Sequence, residues 1–314
     1  MRFPSDDEDD FALIAQQAER EFLCSGPRRW PEPPFYHYTT EVGLKGILET
    51  EAIWATEYRK LSDSGELTRG EQAVQDELDA VVRESSDSTG LGWMCRQIHE
   101  RRKGHRLIDI PDMGLYVASF SSQGDLYGQW CRYADDGQGY AIGFNALPLP
   151  PRVPAPPEKL AWDLAVDFGP CDYDVDACRA HVRAVVLFIA DGVEKYVKTY
   201  CTSPEQVVEI THQGVSAALT RVTTMVPFLK DPAFIDEKEW RLIVLGATPA
   251  QRTRPTRYGE APYVEMPLRG DEPMKLHEIV AGPRSPKDLD FLRSTLDRCG
   301  YGHVKITRSG IPYR

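Results

Sequence analysis

The chain has 314 residues, of which 41% are hydrophobic and 27% are charged, so it is long enough to bury a substantial core. Its formal net charge of −11 gives no overall attraction for nucleic acid or for an anionic membrane. No apolar run approaches the roughly 20 residues that a membrane-spanning helix needs, and the acidic start MRFPSDDEDD does not resemble a signal peptide. We therefore expect a cytoplasmic protein with no membrane partner.

The seven cysteines are odd in number and scattered, and no two of them form a C-x-x-C pair. Zinc sites and disulfide frameworks both depend on regular cysteine spacing. The sequence therefore predicts reduced thiols and no metal site.

Residues 1–30 form an acidic N-terminal extension, in which an amphipathic pattern at 11–22 predicts a short helix. Prolines at 31, 33 and 34 favour an extended chain, and the aromatic residues at 35–38 then predict a strand. Thr40 is a suitable N-cap for the helix that follows, whose apolar side chains recur at helical spacing.

The middle of the chain alternates between strand and helix patterns. Strands are predicted at 53–56, 115–121 and 139–144, with a short helix at 126–133. Residues 64–106 are polar and helical, and we expect this segment to be a helical insertion outside the core. The Pro-rich stretch at 147–157 must be a loop.

The remaining strands are predicted at 160–166, 239–245, 262–266, 277–281 and 303–307. Two helices are predicted at 174–200 and 204–223, and Ser285-Pro286 predicts the start of a helix that ends at Gly300. Strands dispersed among helices indicate a single α+β domain over 31–314, with helical insertions near 64–106 and 172–224.

Three short motifs place polar residues at the ends of apolar strands. The first is Tyr36-His37-Tyr38-Thr39, and the second is Ser119-Phe120-Ser121 with Trp130 and Tyr133 after it. The third is the segment 234–241, which contains Glu237 and Glu239 in the pattern FxxExEWR.

Together, these motifs resemble the three-part signature of the ADP-ribosyltransferase superfamily. The resemblance implies an α+β fold whose core is a split antiparallel or mixed sheet with inserted helices. It also implies NAD as the substrate. The implied NAD-binding residues are His37, Tyr38, Thr39, Ser119, Ser121, Trp130 and Tyr133. Glu239 would bond the nicotinamide ribose, and Glu237 would activate the acceptor.

Residues 35–314 also resemble a bacterial family of domains of unknown function. The resemblance is carried by YHYTT, by the segment 53–66, by SFS with its later Trp-x-x-Tyr, by FxxExEWR, and by the ending SGIPYR.

The chemistry of NAD cleavage suits this set of residues. Loss of nicotinamide leaves a ribosyl cation like that of glycoside hydrolysis, and the leaving group departs neutral, so no general acid is required. One well-placed carboxylate is enough to stabilise the developing charge. In a strand, Glu237 and Glu239 would share a face because side chains alternate.

Each candidate residue also has a purely structural explanation. Glu237 would then be a loop residue, Glu239 would pair with Arg241 across an exposed strand face, and His37 would be a packing residue. The serines would bond the local backbone, and the aromatic pair of Trp130 and Tyr133 would belong to the core. Asp63 and Glu66 fit a helix cap, although we keep them as acceptor-site candidates.

Two basic clusters interrupt the acidic background and are candidate phosphate sites, or else solvated surface. The first comprises Arg96, Arg101, Arg102, Lys103 and Arg106, and the second comprises Arg252, Arg254 and Arg257.

Three functions remain open from the sequence. The first is an NAD-dependent ADP-ribosyltransferase that acts as a toxin or phage-defence effector on a protein or nucleic acid, with an antitoxin or other regulatory partner. The second is a non-catalytic module of the same fold that binds a ligand or nucleic acid. The third is a thiol hydrolase that uses Cys131 near the start of a helix.

Overall fold

The computed structural model describes residues 34–61, 64–84, 90–103, 105–108, 113–145, 165–247, 252–256, 259–269 and 274–313. The predicted extension at 1–30, the loop at 147–157, Asp63 and Arg257 lie outside these ranges, as does the side chain of Glu66.

The strands are β1 (Phe35–Thr39), β2 (Ala52–Glu57), β3 (Met113–Ser121), β4 (Tyr140–Phe144), β5 (Ala165–Pro170), β6 (Glu239–Ala247), β7 (Arg252–Thr256), β8 (Gly259–Pro267), β9 (Leu276–Ala281) and β10 (Lys305–Arg308). The α-helices are α1 (Glu41–Thr50), α2 (Ser64–Glu84), α3 (Gly90–Arg102), α4 (Tyr127–Tyr133), α5 (Val175–Tyr200), α6 (Pro204–Met225) and α7 (Leu289–Arg298). Short 3₁₀ helices occupy Tyr58–Lys60, Val226–Phe228 and Pro232–Glu237.

The sheet is mixed and open, and it divides at β3. One edge of β3 pairs with β6 along its whole length, and β6 pairs with β5. The other edge is shared, because β1 pairs with the end of β3 at Ser121 and β2 pairs with its middle at Tyr116 and Val117. The branch from β1 continues to β4, β9 and β10, and the branch from β2 continues to β8 and β7. We call the gap between β1 and β2 on β3 the fork.

The predicted α+β class is therefore confirmed, with antiparallel pairs throughout except for the parallel pair of β9 and β10. Among the described helices, none has the length and apolar character that crossing a membrane would require.

The start of α1 follows the sequence signal directly. The Thr40 side chain accepts a hydrogen bond from Gly43 N at 3.2 Å and so satisfies one of the helix's unpaired donors. Leu44, Ile47 and Leu48 are buried, as their spacing predicts, and they pack on one face of the sheet with residues of β2.

The helices at 64–106 do not stand outside the core, which corrects the expectation from their polar composition. Val74 and Leu78 of α2 and Met94 and Ile98 of α3 are at most 1% exposed. They pack with α5, α6 and the opposite sheet face in one cluster. A narrow apolar stripe is enough to bury a helix that is polar elsewhere.

Several boundaries also differ from the prediction. Asp288, and not Ser285, caps α7 by accepting from Phe291 N at 2.7 Å. The carbonyl of Ser285 instead accepts from Arg308. The strand predicted at 160–166 is β5, which runs later in the chain, and β10 begins two residues after the predicted start.

Strand β7 was missed because its sequence RTRPT looks like a basic surface loop. Among the described strands it pairs with β8 alone, and this outer position tolerates proline.

Candidate functional site

The three sequence motifs lie on three neighbouring strands. Tyr36 of β1 is opposite Ser121 of β3, and Ser121 is opposite Glu239 of β6. Residues separated by up to 203 positions in sequence thus form one continuous row across the sheet.

His37 lies beside this row and in the fork. Along the shared edge of β3, Val117 pairs with Thr56 and Ser121 pairs with Tyr36, which leaves Ser119 between the two branches. Nδ1 of His37 is 2.9 Å from Ser119 O. Because a carbonyl only accepts, Nδ1 carries the hydrogen and Nε2 is the acceptor of the ring. His37 therefore satisfies a strand carbonyl that the fork would otherwise leave unpaired.

The neutral form of His37 is strongly favoured. Burial is the largest cause that lowers the pKa of His37, the bond to Ser119 opposes it in part, and the charge of Arg254 adds to the lowering, so that the pKa is about 4. The ring also packs against Phe120, with 5.7 Å between ring centroids. At neutral pH the fork therefore presents a neutral imidazole.

Glu237 and Glu239 converge, but not by sharing a strand face. Glu237 ends the 3₁₀ helix, Lys238 has a left-handed φ of 47°, and Glu239 begins β6. Lys230 joins the two carboxylates: its Nζ is 2.7 Å from Glu237 Oε2, and it also contacts Glu239 Oε2.

Arg241 also donates hydrogen bonds to Glu239, with Nε at 2.8 Å from Oε1 and Nη2 at 3.2 Å from Oε2. The pair between Glu239 and Arg241 was foreseen as an exposed one. It is buried, because Glu239 is 2% exposed and Arg241 is 5% exposed. Both oxygens of Glu239 thus have cationic donors.

The charges of this cluster stabilise one another. Burial alone would raise the pKa of Glu239, but the charges of Arg241 and Lys230 outweigh it and lower the pKa to about 2. Burial would likewise lower the pKa of Lys230, and the charge of Glu239 outweighs it, so that pKa is raised. Lys230 and Glu239 are therefore both ionised at neutral pH.

Arg132 of α4 is the outer member of the cluster. It contacts Glu237 Oε1, and its guanidinium lies 4.5 Å from the centroid of the Phe234 ring. Its side chain is 38% exposed, whereas that of Glu237 is 7% exposed. Glu237 is thus the carboxylate nearer to solvent, beneath Arg132.

The other predicted NAD-binding residues make internal contacts. Trp130 is fully buried and stacks edge-on against Tyr38 at 4.8 Å. The Tyr38 hydroxyl donates to Gln123 O at 2.9 Å and accepts from Leu126 N at 3.0 Å. Ser121 Oγ donates to Glu237 O at 2.9 Å. These bonds hold α4 and the third motif against β1 and β3.

Ser119, Thr39 and Tyr133 remain half-buried. Ser119 is at the fork, Thr39 packs against Gly43, and Tyr133 lies near the ammonium group of Lys230.

Sequence reasoning missed Lys230, Arg132 and Tyr173. The Tyr173 hydroxyl accepts from Glu239 N at 3.1 Å. Lys230 lies between two 3₁₀ helices in the segment PFLKDP, where its only signal is a lone cation that follows three apolar residues.

The first basic cluster does not form one patch. Arg106 pairs with Glu71 at 2.7 Å, Arg101 donates to Ser216 Oγ at 3.2 Å, and Arg102 is 6% exposed. Cys131 Sγ is 3.1 Å from the Tyr313 hydroxyl, so the neighbour found for this thiol is a phenol and not an imidazole.

Residues 129–242 match the family described as "Protein of unknown function (DUF2971)". The predicted resemblance to a family of domains of unknown function is thereby confirmed over this segment, which begins in α4 and ends in β6. The matched segment contains the whole charged cluster, which consists of Arg132, Lys230, Glu237, Glu239 and Arg241. No curated protein and no solved structure matches the chain significantly.

Proposed function

We propose that the chain is an NAD-dependent ADP-ribosyltransferase that binds NAD at the fork and transfers ADP-ribose to a protein or nucleic acid. The observation that carries the proposal is the alignment of the three motifs on neighbouring strands, through Tyr36, Ser121 and Glu239, beside a divided sheet edge. Such a row brings residues of all three motifs side by side in the sheet. A role as a cytoplasmic toxin or phage-defence effector with a regulatory partner belongs to the same proposal.

The residues have defined roles in this proposal. The acceptor nitrogen of neutral His37 receives a hydrogen bond from a hydroxyl or carboxamide of the ligand. As the glycosidic bond to nicotinamide breaks, positive charge develops on the ribose, and ionised carboxylates nearby stabilise it. Glu239 is the fixed carboxylate. Glu237, nearer to solvent, accepts the proton of the attacking acceptor group.

The decisive experiment uses NAD labelled in its adenylate phosphate, with and without cell lysate. Nicotinamide release and label in protein or nucleic acid are followed separately for the wild type, Glu237→Gln and Glu239→Gln. Glu265→Gln is the matched control, since Glu265 is an exposed carboxylate of the same sheet, paired with Arg252. We expect release to fall about 100-fold or more in both cluster variants and to be unchanged in the control.

A non-catalytic binding module is the second candidate, and one observation favours it: both Glu239 oxygens already have cationic donors. A carboxylate engaged in this way has little remaining capacity for a ribose hydroxyl. This candidate predicts that folded wild-type protein binds NAD or nucleic acid without releasing nicotinamide, even in lysate. That result would refute the transferase.

A further inference from the structure

The second basic cluster contains two arginines with different surroundings. Arg252 and Arg254 lie two residues apart on β7 and therefore point to the same face of the sheet. Arg252 is 65% exposed and pairs with Glu265 at 2.6 Å. Arg254 is half-buried, and its Nη2 donates to Thr56 Oγ1 at 2.7 Å. Thr56 is the residue at which β2 joins β3, so the guanidinium of Arg254 is at the base of the fork.

The charge of Arg254 has no anionic partner in the part of the chain that the structure describes. Among the described residues, its buried Nε has no hydrogen-bond partner either. Burial lowers the pKa of Arg254. A guanidinium that is withdrawn from water without a counter-ion is costly, and an anion with two acceptor oxygens removes that cost most effectively.

The surroundings of Arg254 favour a particular kind of anion. The Trp54 and Tyr263 rings lie 4.6 Å apart, both half-buried, and the guanidinium lies 5.8 Å from the centroid of Trp54. On the other branch, His37 is close enough for the charge of Arg254 to lower its pKa. A permanent cation, a hydroxyl and an aromatic pair thus meet at one place, and the neutral imidazole of His37 lies within range of the charge of the cation.

We propose that Arg254 and Thr56 form an anion subsite that binds the phosphate groups of a nucleotide, with Trp54 and Tyr263 as its apolar wall. Where that nucleotide is NAD, the inference rests on the proposed function, because the diphosphate would then orient the dinucleotide with its ribose towards the charged cluster. Phosphate binding by itself does not depend on any cleavage of NAD.

The test uses inorganic pyrophosphate as the probe and isothermal titration calorimetry as the readout. Arg254→Ala is expected to weaken pyrophosphate binding about 10- to 100-fold, the range for a hydrogen-bonded charged group. Thr56→Val, which keeps the shape but removes the hydroxyl, is expected to weaken it about fivefold. Arg252→Ala is the matched control and is expected to leave binding unchanged, since Arg252 already has an anionic partner.

Two results would overturn the subsite: no pyrophosphate binding by the folded wild type, or equal losses in Arg252→Ala and Arg254→Ala. If Arg254→Ala does not fold, Arg254→Lys takes its place, because it keeps the charge but loses the two-pronged geometry. Repeating the titration with NAD separates the two proposals. Arg254-dependent pyrophosphate binding without nicotinamide release would retain the subsite and reject the transferase.

Discussion

Lys230 and Glu239 form an ion pair in the interior, where their side chains are 0% and 1% exposed. Isolated buried charges are so unfavourable that each must be compensated nearby. This pair ties the segment before the 3₁₀ helix to the first residue of β6, so it fixes the backbone that carries the third motif.

Replacing Lys230 with methionine should therefore be strongly destabilising. The variant leaves Glu237 and Glu239 close together without their shared cation, and breaking a buried pair in this way costs about 3–5 kcal/mol. Urea unfolding measures the change in the free energy of unfolding. Lys198→Met is the control, because Lys198 is 71% exposed and its pair with Glu194 is worth at most about 0.5 kcal/mol. Similar values for the two variants would contradict a structural role for Lys230.

The low pKa of Glu239 predicts a specific dependence of stability on pH. Its pKa is about 2 in the folded protein, against 4.5 for an unperturbed glutamate. Its stabilising contribution is therefore complete above pH 4.5 and is lost as the pH falls towards 2. The difference in unfolding free energy between wild type and Glu239→Gln should shrink between pH 4.5 and pH 2.5. A constant difference across that range would show that Glu239 is not held ionised.

His37 should resist protonation. The pKa of His37 is about 4 in the folded protein, against 6.5 for an unperturbed histidine, so the folded protein binds this proton at a lower pH than the unfolded chain does. The free energy of unfolding therefore falls as the pH drops from 6.5 to 4. Imidazole NMR signals recorded from pH 8 to pH 4, assigned with His37→Gln, measure this directly. We expect the His37 midpoint near pH 4, and a midpoint above 6 would mean that the ring is not enclosed in the fork.

Asp125 should stabilise the region around α4 through three hydrogen bonds. It accepts from Trp130 Nε1 at 2.7 Å, Ser309 Oγ at 2.6 Å and Gly310 N at 2.9 Å. Asp125→Ala leaves the indole N–H of a fully buried tryptophan unpaired, which costs about 1–3 kcal/mol. Thermal and urea unfolding check this, with Asp191→Ala on the exposed side of α5 as the control. Equal stability of the two variants would argue against these contacts.

The sequence was sufficient where local chemistry decides the structure. The aromatic strand at Phe35–Thr39, the Thr40 cap and the two long helices after Asp174 all follow from propensity and periodicity. The sequence was insufficient where a contact with a distant residue determines the local structure. The Ser285-Pro286 signal resembles a helix start, but the carbonyl of Ser285 is held by Arg308, and Asp288 becomes the cap.

The same limit applies to the candidate site. The alternation of side chains along a strand correctly predicts that Glu239 lies near Arg241. The prediction for Glu237 required the strand to extend through that residue, but the left-handed backbone of Lys238 separates Glu237 from the strand. Lys230 joins the two carboxylates only because a 3₁₀ turn folds the chain back, and no spacing rule predicts such a contact.

The division of the sheet at β3 also affects the tendency of the protein to self-associate. A divided sheet has three outer strands in place of two, and here these are β5, β7 and β10 in the described part of the chain. Outer strands expose backbone groups that can recruit strands of other molecules and start aggregation. β5 ends at Pro170, β7 contains Pro255, and β10 has only four residues, with Lys305 and Arg308 at its ends. The branching that creates the fork is thus accompanied by proline, a short strand or charged residues at each outer strand in the described part of the chain, where strand-to-strand association would begin.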